Sequence, residues 1–176
     1  MFSRGHEPCS LGGMAVSVEL RTLYYLSRAG VLSAPERDRY RTQRAGLFAH
    51  LLAQQASGYA SRRRSPRVPR ALEVRLRDGS VVATGHTLQI SAGGFSMYLE
   101  RPLVAESLEC RLYLPQSLHL DAPVRVVGCV QHGDGAFFVC FAFIDLFEYE
   151  RRLLEEVLVD ATIENAFEQR RGSFQP

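Results

Sequence analysis

Apolar residues recur every three to four positions through the first third of the chain, every second position from Val68 onward, and every three to four again near the end. The first stretch predicts a helix over 16–28, with Val16, Leu20, Leu23, Tyr24 and Ser27 along one face. Gly30 is placed to end it in the left-handed conformation. Ser33-Ala34-Pro35-Glu36 has the capping-box pattern, with Pro35 in the first turn, where its missing N–H is harmless. The helix it starts should run to about Gln55 and bury Tyr40, Leu47, Leu51 and Leu52. Neither helix has a second apolar surface of its own, so the pair must pack on the rest of the chain or on another copy.

The period-2 region predicts six strands, at about 71–77, 81–90, 94–99, 107–114, 122–132 and 136–143. Asp78-Gly79 and Gly133-Asp134-Gly135 supply hairpin turns, and Pro115 and Pro123 bracket the longer connection between the fourth and fifth strands. Six short strands with regular turn signals imply a small closed antiparallel β-barrel. A last helix, about Leu146 to Phe167, carries Leu146, Tyr149, Leu153, Val157 and Ile163 on one stripe, as a barrel lid or an oligomer contact. The expected organisation is a tail (1–13), a helical hairpin (14–57), an arginine-rich linker (58–67), the barrel with its C-terminal helix (68–168) and a second tail (169–176).

Composition alters this picture only locally. The net charge of +2 over 176 residues excludes a molecule-wide polyanion-binding surface, yet residues 61–70 hold five arginines and no acid. Every fixed cation is a guanidinium, since the chain has no lysine. Cys9, Cys110, Cys129 and Cys140 form no CxxC pair; the last three lie in apolar, strand-like runs and read as buried thiols in a reducing compartment. No apolar run is long enough to span a bilayer, and the N-terminus lacks a signal-peptide pattern, so a cytoplasmic location without membrane insertion is expected. The five histidines, His6, His50, His86, His119 and His132, have no metal-ligand spacing. No nucleophile–base pair is evident, and the chain reads as a non-enzyme without a metal or cofactor.

The candidate chemistry lies in two segments. Arg62-Arg63-Arg64-Ser65-Pro66-Arg67 offers planar guanidinium forks, which match phosphate oxygens and the O6/N7 edge of guanine. Gln89-Ile90-Ser91-Ala92-Gly93-Gly94 offers a hydroxyl, backbone N–H groups and no bulk, so a ligand can approach the main chain. Gln89 and Ser91 are two apart on a strand and are expected on one face.

Together these segments resemble the PilZ domain family over about residues 61–165. Arg63 and Arg67 stand in the two defining places of its RxxxR motif. Ser91 and Gly94 match its (D/N)xSxxG motif, with Gln89 where the family has Asp or Asn. Arg125-Val126-Val127-Gly128, Val139-Cys140-Phe141-Ala142-Phe143 and the Glu148-Tyr149-Glu150-Arg151-Arg152 stretch also fit its layout. The resemblance implies a receptor for cyclic di-GMP, with Arg62, Arg63, Arg67, Gln89, Ser91, Gly93 and Gly94 as the binding residues. It also implies an output through a downstream protein controlling motility, adhesion or polysaccharide secretion.

Other readings compete. A run of arginines is commonly a solvated tether, and Ser91-Ala92-Gly93-Gly94 alone is an ordinary β-turn. Phe137, Phe138, Phe141 and Phe143 read as packing groups, and His86 as structural near the pocket. A PilZ-like adaptor without nucleotide is the alternative that Gln89 favours. A nucleic-acid-binding barrel would show affinity falling steeply with salt, but the near-neutral charge argues against it. The apolar stripes, Tyr24, Tyr25, Leu47 and Leu51 included, make a homo-oligomer a further expectation.

Overall fold

The computed structural model describes residues 17–56, 65–103, 105, 107–133 and 135–172. Two helices come first, α1 (Val18–Arg28) and α2 (Ala34–Ala56). The described strands are β1 (Val68–Pro69), β2 (Glu73–Asp78), β3 (Ser80–Ser91), β4 (Gly94–Leu99), β5 (Ser107–Tyr113), β6 (His119–Gln131) and β7 (Phe137–Phe143). A long helix, α3 (Glu148–Gly172), follows.

The strands lie in the order β3-β2-β5-β6-β7-β4, all antiparallel, and β4 pairs back onto β3. That closure makes the six-stranded barrel the alternating pattern predicts, and it removes free edges. Alternate side chains turn inward: Val74 and Leu76 of β2, Leu112 of β5, Val124 of β6, Val139 of β7 and Met97 of β4 are fully buried. Burying such side chains is the main driving force for closing the sheet. Gly79, at φ +70, allows the tight β2–β3 turn.

The sequence does not predict β1, whose two residues extend the β2 edge of β3 by pairing Val68 with Ile90 and Pro69 with Gln89. A two-residue strand has no periodicity to detect. Pro123, expected to border a long connection, instead lies inside β6, opposite Glu109 of β5. The pairing with β7 begins only at Val124, so the proline sits where one flank has no strand to receive its missing N–H. The β5–β6 connection shrinks to a single 3-10 turn over Pro115–Ser117.

α3 is the barrel's lid. Leu154, Val157, Leu158 and Ala161 recur at i, i+3, i+4 and i+7 and join the barrel core. Val159 and Ile163 form a second stripe, buried against Leu20, Leu23 and Tyr24 of α1 and Tyr40, Leu47 and Leu51 of α2. The helical pair therefore packs on α3 of its own chain. The expected α3 stripe is partly out of phase: Tyr149 is exposed, and Leu154 and Leu158 were not in it. A helix covered on two sides is apolar most of the way round, so one stripe does not describe it. Tyr25 is likewise exposed, stacked edge-on against Tyr24. Val16, and the side chain of Leu52, lie outside the described residues.

The glutamate half of the expected capping box forms, with Glu36 accepting from the Ser33 backbone N–H at 2.8 Å and from its hydroxyl at 2.5 Å. Those bonds hold the Glu36 carboxyl below the usual range. Gly30 is left-handed at φ +73. Behind α2, Arg44 lies over the Tyr40 ring and donates to the Glu156 carbonyl at 3.2 Å. Its Nη2 is 3.1 Å from Asp160 Oδ1, close enough for attraction but not aligned as a hydrogen bond.

The cysteines differ from one another more than their sequence contexts do. Cys110 is buried and burial pushes its thiol up to about 12, Cys140 is half-buried, and Cys129 is exposed, against expectation. Cys129 lies near the end of β6, where successive side chains are exposed on both faces. Titration of the native protein with a thiol reagent is expected to label Cys129 ahead of Cys140, and Cys110 only on unfolding. Labelling of Cys110 at the rate of Cys129 would contradict this packing. Cys9 lies outside the described residues.

Candidate functional site

The chain arrives at the barrel as an extended strap, Ser65 to Arg70. Ser65 Oγ accepts a hydrogen bond from the Ala92 backbone N–H at 2.9 Å. Pro66 is buried, and the β1 pairs at Val68 and Pro69 continue the attachment along β3. Two prolines suit this path, because each fixes φ in the extended range and removes a donor that no neighbour needs to satisfy. The strap and the β3–β4 turn are therefore neighbours. Arg67 is exposed, and Arg62 and Arg63 lie outside the described residues.

The turn is built by its own side chain. Ser91 Oγ donates to the Gly94 carbonyl at 3.0 Å and accepts from the Gly93 N–H at 3.3 Å. This local serine turn leaves the hydroxyl buried and engaged. It is thus a staple for the loop, and the face it was expected to share with Gln89 divides: Ser91 is buried and Gln89 exposed. The two glycines are not equivalent. A Cβ on Gly93 would meet only Ser91 Oγ, at 3.9 Å, whereas one on Gly94, at φ +154, would collide with the Phe141 carbonyl oxygen on β7.

Gln89 is exposed, second in a row that crosses the outer wall. Register places Pro69, Gln89, Ser96, Cys140 and Gly128 side by side on β1, β3, β4, β7 and β6. Side chains within such a row share a face. A shift in the β3–β4 register between Thr87 and Gln89 aligns Gln89 with Ser96. The middle of the row is low: a hydroxyl, a thiol and a glycine. Ser96 Oγ is buried with no hydrogen-bond partner, a costly state for a hydroxyl. Burial raises the Cys140 thiol's pKa, and the positive charge of Arg67 works in the opposite direction. Two residues along the same strands, the exposed Tyr98 contacts Phe138 and His132 edge-on, each at 5.8 Å between ring centroids. His86 is exposed on β3 opposite Glu73.

A cavity of about 560 Å³ lies away from this wall, between the helical pair and α3, lined by Leu32, Tyr40, Phe48 and Val159 with Arg37 and Arg41. Among the described residues no group of three or more His, Cys, Asp or Glu is placed to hold a metal ion. No described helix is long and apolar enough to cross a membrane.

An extended arginine strap, held beside a serine–glycine turn on the outer wall of a six-stranded barrel, is matched by a known domain profile. The PilZ domain profile matches residues 61–160. The chain belongs to the PilZ domain family. Solved structures with this fold include the Bacillus subtilis inhibitor of motility MotI/DgrA, at 17% identity and a TM-score of 0.53, covering 58% of this chain and 52% of that one. The PilZ domain of Escherichia coli YcgR with c-di-GMP matches at 16% identity and a TM-score of 0.51, covering 62% of this chain and 98% of that domain. The K. pneumonia MrkH–c-di-GMP complex matches at 18% identity and a TM-score of 0.50, covering 59% and 53%. The aligned region thus spans about half the length of the Bacillus and K. pneumonia chains. No curated protein sequence matches the chain.

Within this PilZ domain the structure brings Arg67 to the neighbourhood of the turn that bears Gln89, Gly93 and Gly94. Sequence reasoning missed Ser96 and Cys140. The available signal was weak: Ser96 follows Gly94 by two, on the outward face, and only the β4–β7 register joins it to Cys140.

Proposed function

We propose that this PilZ domain is a cyclic di-GMP receptor whose arginine strap closes over nucleotide on the floor formed by Gln89, Ser96, Cys140 and Gly128. The observation that carries this reading is the bond from Ala92 N–H to Ser65 Oγ, which keeps the cationic strap beside the turn. Arg62, Arg63 and Arg67 supply forks for the phosphates and the guanine Hoogsteen edge, together with flat faces for stacking. Gln89 faces the Watson–Crick edge, and Gly93 and Gly94 let the base approach the main chain. Ser91 acts through the turn it staples. The receptor is not an enzyme, uses no cofactor beyond its ligand, and acts in the cytoplasm. Its output passes through the helical pair to a partner protein in control of motility, adhesion or polysaccharide secretion.

Titration calorimetry with cyclic di-GMP tests this. Heat that saturates at a defined stoichiometry is expected; no heat at any accessible concentration contradicts it. Gln89 offers a neutral carbonyl where the family's Asp offers a carboxylate to guanine N1–H and N2–H₂. Gln89→Asp is expected to tighten binding about tenfold, on the order of 1–2 kcal/mol for a charge-assisted bond. Weaker binding in that variant would mean that the longer glutamine makes its own contact.

Gln89 also favours a second reading, a PilZ adaptor working through protein contacts without nucleotide. There, arginine substitutions in the strap leave capture of the partner unchanged.

A further inference from the structure

The strap does not end at the nucleotide site. Three residues beyond Arg67, Arg70 Nη1 donates to Glu164 Oε2 of α3, and Glu164 Oε1 accepts from the Tyr24 hydroxyl of α1. One carboxylate thus joins the strap to the appended helices. Asn165 Nδ2, the next residue on α3, donates to the Pro69 carbonyl at 2.9 Å. Thr87 Oγ1 donates to the Arg70 carbonyl and accepts from Leu72 N–H at 3.0 Å, fixing the chain on the far side. Arg70 and Glu164 side chains are 27% and 30% exposed, so their attraction is screened less than that of a surface pair. Tyr24 is itself buried, and burial with the Glu164 contact raises its pKa, so it stays a neutral donor. Its ring lies in the apolar cluster that seats α1 on α3.

We propose that Glu164 is a positioning residue that couples the arginine strap to the seating of α1, so that ligand held by Arg67 is read out in the helical pair. The inference rests on the cyclic di-GMP reading for its ligand, and on the bonds alone for its route. The two residues between Arg67 and Arg70 are paired to β3, so the segment joining the two arginines has little slack. A ligand that holds Arg67 in place holds Arg70, and Arg70 then holds Glu164 toward both partners. The helices respond only as far as the ligand prefers the seated strap.

The test is amide hydrogen exchange on the full chain, read at Leu20, Leu23 and Tyr24, with and without cyclic di-GMP, beside calorimetry on the same samples. Without ligand, Arg70→Met and Glu164→Gln are each expected to speed exchange in α1 about fivefold or more, with no further increase in the double variant. With ligand, α1 protection is expected to rise about fivefold or more in the parent protein. Glu164→Gln should keep binding within a few-fold and lose that rise, and Tyr24→Phe, which keeps the ring, should lose it too. Unchanged α1 exchange in ligand-free Arg70→Met, or a full ligand response in Glu164→Gln, overturns the coupling whatever the affinity. Absence of calorimetric heat in the parent, with the ligand-free exchange effects intact, supports the route and removes only the nucleotide.

Discussion

An Arg67→Ala variant is expected to bind cyclic di-GMP about 30-fold or more weakly than the parent, a loss of roughly 2 kcal/mol or more, measured by calorimetry. Arg67 immediately precedes the strap residues that pair with Ile90 and Gln89, and its charge opposes the burial-driven rise in the Cys140 pKa. A guanidinium engaging phosphate or a guanine edge makes charge-assisted, geometrically matched bonds, and truncation leaves the ligand oxygens without a donor. Arg67 is also exposed in the folded protein, so its removal should cost the fold less than it costs binding, which thermal unfolding of the same variant checks. The pair of measurements separates loss of ligand from loss of fold. Lysine at this position should recover little, since an ammonium has neither the fork nor the flat face.

Gly94→Ala is expected to destabilise the fold by about 3 kcal/mol or more, lowering the thermal midpoint by roughly 6–12 °C, while Gly93→Ala stays within about 1 kcal/mol. The difference follows from what each new methyl meets. At Gly94 it would run into the Phe141 carbonyl oxygen, with the Ala142 Cα and Phe141 carbonyl carbon both at 3.0 Å. These are backbone atoms of a paired strand and cannot rotate aside, so β4 would have to part from β7. The φ of +154 adds strain for any side chain. At Gly93 the nearest atom is a hydroxyl at ordinary contact distance. Thermal unfolding followed by circular dichroism distinguishes them; equal effects at the two positions would mean that Gly94 serves ligand approach alone.

Much of the architecture is readable in the residues because local and global preferences agree. Val74 and Leu76, Leu108, Cys110 and Leu112, and Leu120, Ala122 and Val124 alternate inward as period 2 requires, and Gly79 turns β2 into β3. α2 starts where Ser33 and Glu36 can cap it. Where periodicity has nothing to act on, the sequence is silent. β1 has two residues, and its place depends on Ile90 and Gln89, distant in sequence. α3 faces both barrel and hairpin, so Leu158 and Ile163 serve two surfaces and no single stripe stands out.

The candidate site divides along the same line. Arg67, Gln89, Gly93 and Gly94 were legible because arginine density and small-residue turns are local signals. Ser96 and Cys140 were not, because their place in the floor is set by strand register. Ser91 is a third case: its place beside the small-residue turn is a local signal, while the bonds of its hydroxyl to Gly93 and Gly94 exist only in the folded loop.

The most direct test is two-dimensional amide NMR of the protein titrated with cyclic di-GMP. Saturable shifts are expected at the strap through Arg67, at Gln89 to Gly94, and at Ser96 and Cys140, with a smaller set at Arg70, Glu164 and Tyr24. Shifts clustered instead at Arg37, Tyr40 and Phe48 in the helical cavity, or a spectrum that does not change, would contradict a nucleotide held between strap and barrel wall.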